Sequence, residues 1–267
     1  MRSFALAIVL AAALAGGGCF QMTTVLSVNG DGSGTIDHTM LITKAALAQL
    51  RQFAALSGRG GQSLDLVSEE QARANAATLG PGVTYVSSSP IDTPLAQGRR
   101  ATYAFTDITQ LHISEQPATP AGVSVRTKDL STDTPPITCT MTHEANGNAV
   151  LHIQLPEPNL PAGFGGTTDT AERARQLAMV RTLLAGARIL IAVEPHGALV
   201  TTSSPYVDGQ RVTLVDIDLD RLLGNDALIA RLQAATSADD IRAAVKDAPG
   251  VKITLDRAVT IEFTPAK

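Results

Sequence analysis

The chain has 267 residues, of which 44% are hydrophobic and 17% are charged, and its formal net charge at pH 7 is −4. This balance predicts a globular protein with a sizeable core and excludes a disordered chain. The mildly acidic charge argues against nucleic-acid binding and against broad adsorption to anionic lipid headgroups. Aromatic residues make up 3% of the chain and tryptophan is absent, which disfavours carbohydrate binding by ring stacking.

The first segment predicts an export signal. Arg2 supplies a positive charge, residues 4–14 are mostly apolar, and three glycines starting at Gly16 precede Cys19. The apolar run is too short for a bilayer core of about 30 Å, so we interpret residues 1–18 as a signal peptide. With Cys19 directly after the glycines, the segment resembles bacterial lipoprotein signals, in which the cysteine receives fatty-acyl groups such as palmitate, and the resemblance implies a lipoprotein-type signal peptide over 1–18. It departs from their pattern at Gly16, where an apolar residue such as Leu is usual, and an ordinary cleaved signal is the alternative.

The cysteine count fits a lipid anchor. Cys19 and Cys139 are the two cysteines of the chain, so a lipidated Cys19 leaves Cys139 without an intramolecular disulfide partner. Cys139 shares a predicted strand face with Ile137 and Met141, which favours a buried, inert thiol. A disulfide between the two cysteines is the alternative, and it would indicate a soluble secreted protein.

The residues after Cys19 predict a hairpin and then a helix. Residues 22–28 and 35–42 follow a strand-like alternation, and the glycine-rich turn 29–34 joins them. Apolar residues then recur at helical spacing over 44–56, and the glycines within 58–61 end that helix.

The middle of the chain predicts a second helix and an antiparallel meander. Ser68 and Gln71 form a capping-box pattern, and Gly80 ends the helix. Asn146-Gly147 is a strong short hairpin signal. The predicted strands are 83–88, 100–105, 122–128, 137–143 and 149–155, the first two joined by a Pro-rich loop containing Gly98.

Residues 156–168 are rich in proline and glycine and have no periodicity, which predicts a loop or linker. It separates two α+β regions, 19–155 and 169–267, which we expect to pack as one domain. The second region is predicted to contain a helix over 169–186, strands over 188–194, 198–203 and 211–218, helices over 226–234 and 238–246, and closing strands over 251–255 and 258–263. The predicted class is α+β, a largely antiparallel β-sheet with helices packed on one face.

The glycine-rich turn matches part of a calcium-binding loop. Asn29, Asp31 and Ser33 place oxygen atoms at alternate positions, and Gly34 is the sixth residue. The twelfth residue is Met40 instead of the bidentate Glu, and strands flank the turn instead of helices. A glycine-rich hairpin tip is therefore favoured over a calcium site.

The histidines do not form a recognisable metal motif. His143-Glu144 begins like a zinc-protease motif, but Gly147 stands where the second histidine is required. His143 and His152 could face each other across the Asn146-Gly147 hairpin, which would still be too few ligands. The sequence therefore predicts no metal site, no cofactor and no catalytic residue.

An enzymatic alternative rests on dispersed acidic and histidine side chains. Asp216, Asp218 and Asp220 alternate along a predicted strand, which a solvated strand face explains without function. An envelope hydrolase would have to assemble its site from such residues, with Asp107 or His112 as further candidates.

Four sequence features carry a family resemblance: Cys19 after its signal, the stretch Val-Asn-Gly-Asp-Gly-Ser-Gly at 28–34, Tyr-Ala-Phe-Thr-Asp-Ile at 103–108, and Pro-Gly-Val at 249–251. Together they resemble a group of uncharacterised bacterial envelope lipoproteins, and they are faintly similar to LppM-like lipoproteins. The resemblance implies an anchored α+β domain that binds a lipid or another envelope component. It transfers no catalytic residue.

We therefore predict a membrane-anchored cell-envelope lipoprotein that acts as a non-enzymatic binding or scaffolding module, with the dispersed hydrolase as the alternative. Its predicted partners are the membrane, through a lipid on Cys19, and a lipid or envelope-protein ligand, with no nucleic acid. The domain is expected to face the periplasm or the exterior. Phe20 stands where an Asp would favour retention in the inner membrane, so the outer membrane is favoured in a host that has one.

Overall fold

The computed structural model describes residues 20–48, 68–113, 136–157, 178, 181, 186–254 and 256–266. The described strands form two sheets. They are β1 (Phe20–Val28), β2 (Gly34–Thr43), β3 (Thr84–Asp92), β4 (Ala96–Phe105), β5 (Thr138–His143), β6 (Ala149–Gln154), β7 (Arg188–Pro195), β8 (Gly197–Thr202), β9 (Val207–Asp208), β10 (Arg211–Asp218), β11 (Val251–Ile253) and β12 (Ala258–Pro265).

The large sheet has the strand order β11-β10-β7-β1-β2-β4-β3, and β9 pairs with the start of β10. Its central pair, β1 and β7, is parallel, whereas the other pairs are antiparallel. The small sheet has the order β5-β6-β12-β8 and is antiparallel throughout. The pairing of β1 with β7 brings residues from both sides of the segment 156–168 into one sheet.

The main core lies between the two sheets. Alternate residues of the large sheet and of the small sheet belong to one cluster of buried apolar side chains. Leu26, Ile36 and Tyr103 represent the large sheet in this cluster, and Leu151 and Ile261 represent the small sheet. Each is at most 1% exposed. Burial of these side chains between two strand layers is the main apolar contribution to stability.

The described helices are short and lie in different places. They are α1 (Glu69–Thr78), α2 (Leu219–Leu223), α3 (Asp226–Ala234) and α4 (Ala238–Val245), together with a 3₁₀ turn (Ile108–Gln110) and a helical stretch at 44–48. Ala72 and Ala76 of α1 join the core between the sheets. Leu228 of α3 and Val245 of α4 instead form a separate cluster with Val251 of β11.

The predicted class, a largely antiparallel sheet with helices packed on one face, is therefore wrong as stated. The fold is mostly β, and the apolar face of one sheet is covered mainly by a second sheet. The strands of the predicted meander also do not belong to one sheet. The β3–β4 hairpin lies in the large sheet and the β5–β6 hairpin lies in the small sheet. Strand alternation shows that one face is buried, but it does not show whether a helix or a sheet covers that face.

Two short connections carry the chain between the sheets. The turn at His196 leads from β7 of the large sheet to β8 of the small sheet, and the closing strands β11 and β12 also lie in different sheets. At Gly197, where φ is +154°, a Cβ atom would lie 2.1 Å from the carbonyl oxygen of Thr264. Only glycine allows this close approach of the chain to β12.

Candidate functional site

An open groove of about 640 Å³ lies at one end of the large sheet. We call this the Val28 end, because β1 finishes there, and the opposite end the Phe20 end. The groove is lined by Ser27, Asn29, Gly34, Thr35, Glu194, Pro195, His196, Asp208, Gln210 and Arg211. These side chains are mostly polar, and we refer to this concavity as the polar groove.

The sheet topology brings the walls of the polar groove together. The parallel strands β1 and β7 finish side by side, with Val28 opposite Pro195. The β9–β10 hairpin reaches the same end, because Val212 of β10 lies opposite Val193 of β7. At its tip Gly209 has a φ of +61°, a conformation that glycine adopts without strain. Three separate chain turns therefore form one polar surface.

An ion pair joins two residues that line the polar groove. The guanidinium Nε of Arg211 donates to Oε1 of Glu194 at 2.6 Å, and both side chains remain more than a third exposed. The backbone of His196 is held on both sides: its amide donates to the Val28 carbonyl at 2.7 Å, and its carbonyl accepts from Ala266 at 3.0 Å. The imidazole of His196 is exposed. The groove thus offers charges of both signs and hydrogen-bonding groups on a fixed backbone.

The glycine-rich tip of the β1–β2 hairpin is a structural contact between the sheets. The Gly30 carbonyl lies 2.6 Å from Nε2 of His143 on β5, and the Gly32 carbonyl accepts from the amide of Ile108 at 2.9 Å. The carboxylate of Asp31 accepts from the hydroxyl and the amide of Ser33, and these bonds hold its pKa below the ordinary value. The hydroxyl of Ser33 and one carboxylate oxygen of Asp31 are thus bonded to each other within the turn. The hairpin-tip interpretation fits these contacts better than a calcium site does.

The histidines are spread over the fold. His143 and His152 do not face each other, because the register places His143 opposite Ala149 and His152 opposite Thr140. Their sequence positions place them on opposite faces of the small sheet. Among the residues that the structure describes, no group of three His, Cys, Asp or Glu side chains could hold a metal ion.

The acidic candidates for a hydrolase have separate structural roles. Asp107 caps the 3₁₀ turn by accepting from the amide and hydroxyl of Thr109, and this lowers its pKa. Asp216 accepts from Arg188 in a two-bond ion pair, and Asp218 caps α2. Asp220 lies within α2, so the three carboxylates do not share one strand face as predicted.

The dispersed hydrolase site is not assembled by the described residues. Asp107 follows β4 near the Val28 end, because Phe105 lies opposite Gly34. Asp218 lies opposite Arg188, which in turn lies opposite Gln21 at the Phe20 end. His112 is exposed, and neither the polar groove nor the cavity under α1 is lined by any of these side chains.

A second, much smaller cavity of about 20 Å³ lies beneath α1, with His38 and Tyr103 in its wall. Burial lowers the pKa of His38, whose Nδ1 lies 3.0 Å from the hydroxyl of Thr24. Burial raises the pKa of Tyr103 to about 12, and its hydroxyl donates to the Ala72 carbonyl at 2.9 Å. The space is of the order needed for one water molecule, so it offers no room for an organic ligand.

The structure describes one of the two cysteines. Cys19, the predicted lipidation residue, lies outside the described residues. Cys139 is 3% exposed, and burial raises the pKa of its thiol to about 12, which fits the predicted inert thiol. Within the described ranges, no helix is long and apolar enough to cross a membrane.

Of the residues that line the polar groove, Asn29 and Gly34 belong to the partial calcium-loop pattern in the sequence, whereas the residues of the other two turns carry no such pattern. Glu194, His196 and Arg211 were treated only as parts of strands and turns. The dipeptide Asp208-Gly209 is a hairpin signal of the same kind as Asn146-Gly147, and it would have revealed β9. The meeting of this hairpin with the end of β7 depends on the parallel pairing of β1 and β7, which short-range patterns do not reveal.

No protein-family model matches the chain, and no curated protein matches it in sequence. One solved structure that it resembles is the NMR structure of the folded domain of LppM from Mycobacterium tuberculosis. The two align with a TM-score of 0.32 and 9% identity over 94% of this chain and 95% of that one. The structural similarity to the LppM domain is thus faint.

Proposed function

We propose that the chain is a lipid-anchored protein of the cell envelope and acts as a non-enzymatic binding module through the polar groove. The signal-like segment ending at Cys19 supports the anchor. The groove supports the binding role, because it is concave, solvent-accessible and lined by side chains that three chain turns hold in place.

The lining of the groove favours a polar envelope component over the acyl chain of a lipid. A site for an acyl chain is enclosed and apolar, whereas this groove is open and carries Glu194, Arg211 and Asp208. A ligand with both hydrogen-bond donors and acceptors, such as a polar peptide segment of an envelope protein, matches this mixture of charges. The observation that carries the proposal is the exposed Arg211–Glu194 ion pair in the lining of the groove.

The test compares the full chain purified from envelope membranes in three forms: wild type, Arg211→Ala and Thr201→Ala. Thr201 is an exposed residue of β8 in the small sheet and provides the matched control. Native mass spectrometry would detect a component that remains bound. We expect it in the wild type and the control but not in Arg211→Ala, because the substitution removes the cation of the groove.

Three results would contradict the proposal. The binding role fails if no component is retained by the wild type, or if the control loses it as completely as Arg211→Ala does. The anchor fails separately if the intact mass of the mature protein shows no acyl group on Cys19.

A further inference from the structure

We propose that the Phe20 end of the large sheet rests on the lipid surface, with the β3–β4 hairpin inserting Leu95 between the headgroups. This inference rests on the proposed lipid anchor at Cys19 and adds an orientation to it. The surface that this end contacts is a phospholipid bilayer.

Leu95 has the exposure expected of a membrane-contacting residue. Its side chain is 67% exposed, the highest value among the exposed large hydrophobic residues in the described part of the chain. It lies at the hairpin tip beside Pro94, which is also exposed. An apolar side chain at the tip of a tight hairpin can enter the headgroup region without exposing unpaired backbone groups to lipid.

The hairpin tip is held rigidly. The amide of Thr93 donates to the Ala96 carbonyl at 2.8 Å, and the hydroxyl of Thr93 accepts from the Ala96 amide at 2.9 Å. The amide of Lys44 donates to the Leu95 carbonyl at 3.0 Å, and its Nζ pairs with Asp92 at 2.7 Å. Because the tip is already ordered, insertion of Leu95 would cost little conformational entropy.

The sheet register places this tip beside the point where the chain arrives from Cys19. Phe20 lies opposite Ile42, and Ile42 lies opposite Gln97, two residues after Leu95. The lateral distance from β1 across β2 to β4 is about 10 Å, since neighbouring strands are about 4.8 Å apart. One peptide bond separates Cys19 from Phe20, so a lipid on Cys19 would hold this end of the sheet next to the bilayer.

The surroundings of the tip indicate an apolar contact, with little contribution from charge. Ile42, Ala46 and Leu47 form a small buried cluster at this end, separate from the main core, and the partly buried Phe20 packs against it. Lys44, beside the tip, is paired with Asp92, and Arg188, at the same end of the sheet, is paired with Asp216. The chain as a whole is acidic. We therefore expect contact with zwitterionic phosphatidylcholine, with little dependence on salt.

The chain contains no tryptophan, so a single introduced tryptophan is the only source of indole fluorescence in each variant. Leu95→Trp is compared with Val207→Trp in the full chain, purified in its membrane-bound form and reconstituted into phosphatidylcholine vesicles. Val207 is 44% exposed and lies near the Val28 end of the same sheet, opposite Val212. Acrylamide reports exposure to water, and brominated lipid reports contact with the bilayer.

We expect the indole of Leu95→Trp to shift its emission to shorter wavelength on reconstitution, to lose quenching by acrylamide and to be quenched by brominated lipid. The indole of Val207→Trp should keep its emission in water and its quenching by acrylamide. Equal behaviour of the two indoles in vesicle-bound protein would overturn the proposed orientation.

The failure of the anchor is distinguishable from the failure of this orientation. If intact mass shows no acyl group on Cys19, the proposed function loses its anchor. A maleimide lipid can then be coupled to Cys19, because the buried thiol of Cys139 is protected. The chemically anchored Leu95→Trp and Val207→Trp proteins must still differ as described, and if they do not, the orientation is refuted.

Discussion

We expect Gly30→Ala to destabilise the protein by about 2 kcal/mol, through a steric clash between the two sheets. Gly30 is not among the glycines with positive φ, so alanine is compatible with the backbone there. An added Cβ would lie 2.5 Å from both Cβ and Cγ of Pro265 on β12. The proline ring cannot rotate away, so the hairpin tip has to move off the small sheet.

The expected change in the free energy of unfolding is the sum of two destabilising contributions and one stabilising contribution. Overpacking of a well-packed contact costs about 1–3 kcal/mol. Moving the tip also breaks the contact of His143 with the Gly30 carbonyl, which is worth about 1 kcal/mol. Alanine restricts the unfolded chain and returns about 0.4–1 kcal/mol.

Urea denaturation followed by circular dichroism measures this change in the free energy of unfolding. The matched control is Gly209→Ala. Nothing lies within 4 Å of its added Cβ, so no clash is expected, but its φ of +61° is unfavourable for alanine. It should cost about 1 kcal/mol through backbone strain alone. In a Pro265→Gly background the cost of Gly30→Ala should largely disappear. An unchanged cost in that background, or a Gly30→Ala protein as stable as wild type, would refute the steric explanation.

Three further predictions follow from buried groups. A maleimide reagent at pH 8 should label Cys139 only after unfolding, and labelling of the native protein would contradict its burial. Because burial raises the pKa of Tyr103 to about 12, the folded state favours the neutral phenol, so the free energy of unfolding should fall as pH rises from about 10 to about 12. Tyr103→Phe should lack this part of the pH dependence in urea titrations, and an unchanged profile would contradict the assignment. Asp216→Asn should lower the free energy of unfolding, measured with urea, by about 1–2 kcal/mol because Arg188 loses its charged partner. Asp92→Asn, which breaks an exposed ion pair, should lower it by under about 0.5 kcal/mol. Equal costs would refute this distinction.

Local signals predicted local elements well. The strand predicted at 211–218 is β10, and the helix predicted at 226–234 is α3. Asn146-Gly147 forms the expected turn, with a φ of +88° at Gly147. Ser68 caps α1 through the amide of Gln71, but the Gln71 side chain donates to Asn75, so the capping box is incomplete. Such features depend on a few consecutive residues, which is why the sequence reveals them.

Proline and glycine led to a wrong loop prediction where tertiary contacts determine the extent of the strands. Residues 89–99 were expected to be mostly loop, yet β3 continues through Pro90 and β4 through Gly98. β3 is the last strand in the order of the large sheet, where a proline need not donate to a neighbour. At Gly98 a Cβ would lie 2.0 Å from the Met40 carbonyl, so glycine permits the pairing instead of ending the strand. Neither fact is contained in the local pattern.

The two proposed contacts lie at opposite ends of the same strand, which makes their independence testable. From Phe20 to Val28, β1 spans about 26 Å at about 3.3 Å per residue, so a polar groove at the Val28 end stands clear of a bilayer at the Phe20 end. Leu95→Asp should therefore remove the lipid contact at the hairpin tip and leave the bound component seen by native mass spectrometry unchanged. Arg211→Ala should do the reverse. If either substitution abolished both properties while circular dichroism showed a folded domain, the two sites would be coupled, and the proposed separation of anchor and groove would be wrong.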